Sequence, residues 1–305
     1  MKKIFIYSTL FSLFTASCDK SNNETFCSQN ENAITLSHDN ITREYILYVP
    51  QSYSNQAVPL LFNFHGFGDT AEQYINYADM RSLAESEQFI LVYPQGSCLD
   101  GATHWNPCLV EGDNKSTADD LGFVEAMIDD ISSNYNIDSE RVYASGYSNG
   151  AMMAYGLANY KNNLITAIAS VSGAMLDCAG NLSRPVPVIH LHGTTDGVIP
   201  FNGNSDYNSV QSTLDYWINF NNTSVNPIIN TYSDQGLNIE HYLYDNGDNN
   251  VSIEHYKYID GGHEWFINSF QGQNTSELVW NFLSKYNING LIDKIQLTTK
   301  FIKNV

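Results

Sequence analysis

Arg141-Val142-Tyr143-Ala144-Ser145-Gly146-Tyr147-Ser148-Asn149-Gly150-Ala151-Met152-Met153-Ala154-Tyr155-Gly156-Leu157-Ala158 is the stretch on which the fold turns. Arg141 to Ser145 is a short strand-forming run, while Ala151 to Ala158 is apolar almost all round, as only a buried helix can be. Between them, Gly146-Tyr147-Ser148-Asn149-Gly150 has the pattern G-x-S-x-G. That pattern makes a strand-to-helix turn too tight for side chains at the glycines, and it lifts the serine hydroxyl clear of a sheet. Alone the pentapeptide is weak evidence; a strand before it and a helix after it make it specific.

Outward from this turn, Arg43 to Val49, Leu60 to His65, Phe89 to Tyr93, Val186 to His192 and Val251 to Ile259 are further short runs bounded by Gly, Pro or Asp, and they predict strands. Asp119 to Ser132 carries Leu121, Val124, Ile128 and Ile131 at helical steps behind Thr117-x-x-Asp120, which resembles a capping box. Strands alternating with helices predict an α/β protein with a mostly parallel central sheet, helices on both faces and no separate lid domain. Such sheets bind ligands at the carboxyl ends of their strands.

The polar residues after the strands are His65-Gly66, Ser148, Asp196 and His263, types suited to acyl transfer. A serine hydroxyl needs a base, and the base needs a carboxylate to hold its tautomer. Asp196 follows a strand, whereas Asp206 and Asp215 fall in a loop and a helical stretch. His263 follows Gly261-Gly262 at a loop tip, whereas His241 and His255 fall within strands. The backbone N–H groups of Asn149 and Phe67 are the candidate oxyanion donors. Trp105, Tyr147 and Trp265 are expected at the substrate pocket, with Trp105 at its rim; a core position is the alternative for Trp105.

Further motifs extend the pattern. They are Trp105-Asn106, Ala118-Asp119-Asp120-Leu121-Gly122-Phe123, Asp138-x-x-Arg141-Val142-Tyr143, His192-Gly193-x-x-Asp196 and Gly261-Gly262-His263-x-Trp265. Together they resemble the poly(3-hydroxybutyrate) depolymerase and feruloyl esterase family, which is similar to the first family of carbohydrate esterases and has the α/β-hydrolase fold. The resemblance runs from about Arg43 to Leu283. It implies a bacterial exported serine esterase with Ser148 as nucleophile and Asp196 and His263 as its partners, acting on short-chain, acetyl or hydroxycinnamoyl esters of carbohydrates. Hydrolysis of hydroxyalkanoate oligomers is a second enzymatic reading, and an inert tethered glycan-binding protein is the rival from another class.

The chain has 305 residues, with 14 Lys and Arg against 33 Asp and Glu, a net charge of −19. Nucleic acid and anionic lipid are therefore disfavoured as partners, and a neutral small-molecule or oligosaccharide ester is favoured. No spacing suggests a metal site, and no cofactor is expected. Met1 to Cys18 reads as an export signal ending in a lipobox-like Thr15-Ala16-Ser17-Cys18, with lipidation of Cys18 and plain cleavage both open. Residues 19–35 read as a polar spacer, 36–286 as the catalytic domain and 287–305 as a tail; nothing indicates an oligomeric state. Four further cysteines allow three pairings. Cys98 with Cys108 closes a short loop and is the expected one, which leaves Cys27 with Cys178 by elimination.

Overall fold

In the computed structural model the described residues are Cys27 and 32–293, except 113, 179 and 181. The expected export signal with Cys18, most of the expected spacer and the residues from 294 onward lie outside them. The chain opens with strands β1 (Ile34–His38), β2 (Ile41–Tyr48) and β3 (Val58–Phe64), then helices α1 (Ala71–Ile75) and α2 (Arg81–Glu87). Strand β4 (Ile90–Pro94) follows, then a small hairpin of β5 (Ser97–Leu99) and β6 (Ala102–His104), and helix α3 (Asp120–Asn134). The central turn joins β7 (Ile137–Tyr147) to α4 (Asn149–Tyr160), after which come β8 (Ala167–Val171), β9 (Val188–Gly193) and α5 (Val210–Phe220). Strands β10 (Ile228–Asp234), β11 (Leu237–Tyr244) and β12 (Ile253–Ile259), helix α6 (Thr275–Leu283) and a hairpin of β13 (Tyr286–Asn287) and β14 (Gly290–Leu291) complete it.

Ten strands form one sheet in the order β1-β2-β4-β3-β7-β8-β9-β12-β11-β10. The six from β4 to β12 in that order are parallel, and antiparallel pairs close both edges. Period-two alternation sends Leu60, Phe62, Val142, Ala144 and Ile168 to one face, where they pack on α3, α4 and α5. Leu61, Tyr143, Ala167, Ala169 and Ile189 go to the other face, against α1, α2 and α6. This is the α/β-hydrolase architecture, and no lid is inserted among the described residues. Every residue of α4 but Tyr160 is buried, as its apolar circumference requires.

Two local expectations are corrected. Helix α3 is capped by Asp119, whose carboxylate accepts the Gly122 N–H at 2.9 Å, so Thr117 is not the cap. Asp120 is occupied elsewhere: it is buried against the Arg43 guanidinium at 2.6 Å and accepts the Asn106 N–H at 2.7 Å. The disulfides are Cys27–Cys98 and Cys108–Cys178, not Cys98–Cys108 and Cys27–Cys178. The physical reason is the surface of α4, where Pro107 lies against Gly156 and Gly180 against Asn159, so that Cys108 and Cys178 meet although 70 residues apart. The sheet begins at Ile34, and the Tyr143 hydroxyl donates to the Tyr286 carbonyl at 2.6 Å, which ties the final hairpin to β7.

Candidate active site

Ser148 stands between β7 and α4 with φ 54° and ψ −119°, a left-handed conformation that costs an ordinary residue on the order of 1–3 kcal/mol. Packing enforces it. A Cβ on Gly146 would collide with the Gly150 carbonyl, and one on Gly150 with the Phe64 carbonyl, so only glycine lets α4 start this close to β3. The Ser148 N–H donates to the Val171 carbonyl at 2.9 Å, which ties the turn to β8.

His263 brings the other elements in. Its Nε2 lies 2.9 Å from Ser148 Oγ and its Nδ1 2.7 Å from Asp196 Oδ2. Asp196 follows β9 and His263 follows β12, neighbouring parallel strands, so both loops leave the same end of the sheet. They touch because Gly193 has no side chain: a Cβ there would strike the Gly261 carbonyl. The Thr195 N–H donates to Gly261 O at 3.0 Å and the Thr194 N–H to Tyr258 O at 2.9 Å, which fastens the loops together. The Tyr147 hydroxyl donates to the His263 carbonyl at 2.9 Å, with the two rings 5.0 Å apart. Asp206 and Asp215 do not reach the histidine; Asp215 accepts from Gln211 on its own helix.

Burial alone would push the Asp196 carboxyl up. Hydrogen bonding from His192, His263 and the Ile199 N–H outweighs it and holds the group well below the usual carboxylate range. The carboxylate is therefore ionised, with Oδ1 accepting the N–H groups of Val198 and Ile199, each at 2.8 Å. The His192 ring, which sequence reasoning placed in a motif without a role, lies 3.2 Å from Oδ2.

Asn149 is the first residue of α4, so helix geometry leaves its N–H without an intrahelical acceptor. Its side chain is clamped to the Trp105 backbone, accepting from its N–H at 2.7 Å and donating to its carbonyl at 3.1 Å. Phe67 is 52% exposed and follows the Gly66 carbonyl, which faces His65 Nδ1 at 2.7 Å. Because a peptide's C=O and N–H point opposite ways, that contact sets the direction of the Phe67 N–H.

The rim position of Trp105 is overturned. Its indole is fully buried, edge-on to Phe64, and its Nε1–H donates to the His65 carbonyl at 3.0 Å. Trp265 is nearly buried too, edge-on to Tyr74. It lines a groove of about 570 Å³ together with Asn76, Tyr77, Ile267 and Asn274. Near Ser148, whose carbonyl accepts the Met152 N–H at 3.1 Å, Met152 of α4 and the loop residues Ala174 and Ile199 form a separate small apolar cluster that sequence reasoning missed, because its members come from three separate segments.

Residues 43–220 match the profile of the esterase PHB depolymerase family. The chain is 34% identical to a bifunctional acetylxylan esterase/xylanase from Neocallimastix patriciarum over 159 residues, 52% of this chain and 22% of that protein. It is 24% identical to feruloyl esterase B of Piromyces equi over 267 residues, 81% of this chain and 46% of that protein. The alignments thus span less than half of either relative. Among solved structures, an acetyl xylan esterase from Aspergillus awamori shares the fold with a TM-score of 0.56 at 16% identity, covering 76% of this chain and 93% of that one. Since the profile match takes in β2 through α5, more than half of the sequence, the chain belongs to the esterase PHB depolymerase family.

Proposed function

We propose that the protein is an exported serine esterase that hydrolyses short-chain, acetyl or hydroxycinnamoyl esters of carbohydrates. The observation that carries the reading is the hydrogen-bonded row Ser148, His263, Asp196, assembled from loops 115 and 67 residues apart in sequence. In this mechanism His263 takes the Ser148 proton as Oγ attacks the ester carbonyl, then returns it to the departing alcohol; water repeats the cycle on the acyl-serine. Asp196 steadies the imidazolium. The N–H groups of Asn149 and Phe67 receive the oxyanion, aided by the amino end of α4.

The acyl group is assigned to the side of Met152, Ala174 and Ile199. The alcohol is assigned to the groove between Tyr77 and Ile267, where neutral amides and an exposed aromatic ring suit a sugar. The net charge of −19 favours neutral over acidic polymers. Two disulfides support an oxidising compartment, and the signal-like start supports export, with Cys18 as a proposed lipid tether. Initial rates on p-nitrophenyl acetate, methyl ferulate, acetylated xylan and hydroxybutyrate oligomers test the assignment. It fails if the oligomers are cleaved fastest, and the enzymatic reading itself fails if an organophosphonate leaves Ser148 unlabelled.

A further inference from the structure

Behind Asp196 the sheet carries buried histidines that the mechanism above does not use. His190 and His192 project from β9 with no exposed surface, their rings stacked 5.2 Å apart. His192 Nε2 lies 2.8 Å from the Ile199 carbonyl oxygen and 3.2 Å from Asp196 Oδ2. Both are acceptors, so this nitrogen must carry a proton. In a neutral ring Nδ1 is then an acceptor, and it faces His190 Nε2 at 3.1 Å, which must donate. His190 Nδ1 is left to accept, and the Tyr155 hydroxyl lies 2.8 Å from it. Every donor in the row therefore points from α4 toward Asp196.

We propose that Tyr155, His190 and His192 are positioning residues that deliver a second N–H to the carboxylate oxygen already bonded by His263. The inference rests on the acyl-transfer reading of Ser148, His263 and Asp196. A second donor on Oδ2 spreads its charge and fixes the plane of the carboxylate. The same His192 proton holds the Ile199 carbonyl, while the Ile199 N–H bonds Oδ1, so one ring secures both the carboxylate and its turn. No proton travels along the row; its work is to set tautomers. Tyr155 acts at the far end: its hydroxyl donates to His190 Nδ1 at 2.8 Å and so favours the tautomer in which Nε2 carries the proton, whereas the other tautomer would set two lone pairs against each other between the rings.

Other polar groups face this assembly, among them Ser170 of β8, which is buried, lies opposite His190 in the sheet and is within hydrogen-bonding reach of the Tyr155 hydroxyl. His255 of β12 directs Nδ1 to the His190 carbonyl at 3.0 Å and lies 5.6 Å from its ring. Tyr147 of β7 covers the His263 ring, Ser148 faces Nε2, and Glu264 follows His263 with its carbonyl bonded by Ser172.

Long-range ¹H–¹⁵N correlation of the ¹⁵N-labelled protein reports which ring nitrogen is protonated and needs no substrate. Both His190 and His192 are expected as Nε2–H tautomers. In kinetics, losing the donor leaves more charge on Asp196 to stabilise the imidazolium. His192→Phe should therefore move the acid limb of kcat/KM to higher pH by about half a unit or more, and lower kcat by roughly tenfold or more. His192→Gln, whose amide reaches the place of Nε2, should restore most of both. Tyr155→Phe should move the limb the same way by less. A purely structural role would lower kcat and leave the limb in place. The proposal is overturned by an Nδ1–H tautomer at either ring, by a doubly protonated His192, or by acid limbs of both His192→Phe and Tyr155→Phe that coincide with wild type. Failure of the esterase reading would show separately, as a wild-type protein inactive on every ester.

Discussion

At the scale of single residues, the proposed nucleophile is a serine held in an unfavourable backbone conformation by glycines on either side. Its hydroxyl contributes little to that packing, so Ser148→Ala should leave thermal unfolding near the wild-type temperature. The same change should lower ester turnover by about 10⁴- to 10⁶-fold. A variant keeping a tenth of wild-type turnover would remove Ser148 from the mechanism. Asp196 supplies a second expectation. Its carboxyl is held well below the usual range, so it remains ionised over the pH interval in which histidines gain a proton. The acid limb of kcat/KM should therefore fall with a slope of one proton, from His263 alone; a limb falling with two protons would mean that the carboxylate titrates alongside it. Trp105 shows the limit of reading by residue type. A tryptophan between cysteines in a polar loop looks like a pocket wall, yet the His65 carbonyl satisfies its indole N–H in the core.

At the scale of elements, β2 and α3 are joined by the buried Arg43–Asp120 pair, with the guanidinium also 4.1 Å over the Phe123 ring. Truncating one partner leaves the other charge buried and alone. Asp120→Ala should thus destabilise the protein by about 3–5 kcal/mol, read as a lower urea midpoint, while Asp120 touches none of the three proposed catalytic side chains. A loss below about 1 kcal/mol would mean that water reaches Arg43. The disulfides also belong to this scale. Each closes about 70 residues, and in the chain-entropy model loops of that length contribute more than the short one first expected. Spacing along the chain suggested Cys98 with Cys108; the docking of Pro107 and Gly180 on α4 decided otherwise.

At the scale of the whole molecule, a large two-faced core forces several histidines to stay neutral. Burial, only partly offset by the hydrogen bond to Gly66, lowers His65 to about 4, and burial lowers His255 to about 3. A depressed histidine binds fewer protons folded than unfolded. The stability it contributes is complete above the unfolded value and is lost as pH falls toward the folded one. For His65 the shift corresponds to about 3 kcal/mol. Replacing His255 by Phe removes one such group. Between pH 7 and 5, wild type should therefore lose about 2 kcal/mol more stability than His255→Phe, measured by urea unfolding at each pH. Equal losses in the two proteins would show that His255 is protonated in the fold.

The sequence by itself determined the layered α/β architecture and the serine turn, and it carried the proposal of Asp196 and His263 as partners of Ser148. Those features are local: period-two and period-3.6 patterns, glycines that a tight turn demands, and polar residues immediately after strands. The strand β8 and the edge strand β10 were missed, the first because Ala167-Ile168-Ala169-Ser170-Val171 is too short and small-sided to stand out, the second because its side chains are mostly exposed. Only the tertiary structure decided the cysteine pairing, the burial of Trp105, the cap of α3, the apolar cluster at Met152, Ala174 and Ile199, and the row from Tyr155 to His192. Each of these depends on which residues of distant segments come within a few ångströms, and that is set by how helices and loops dock on the finished sheet, which no pattern along a single segment records.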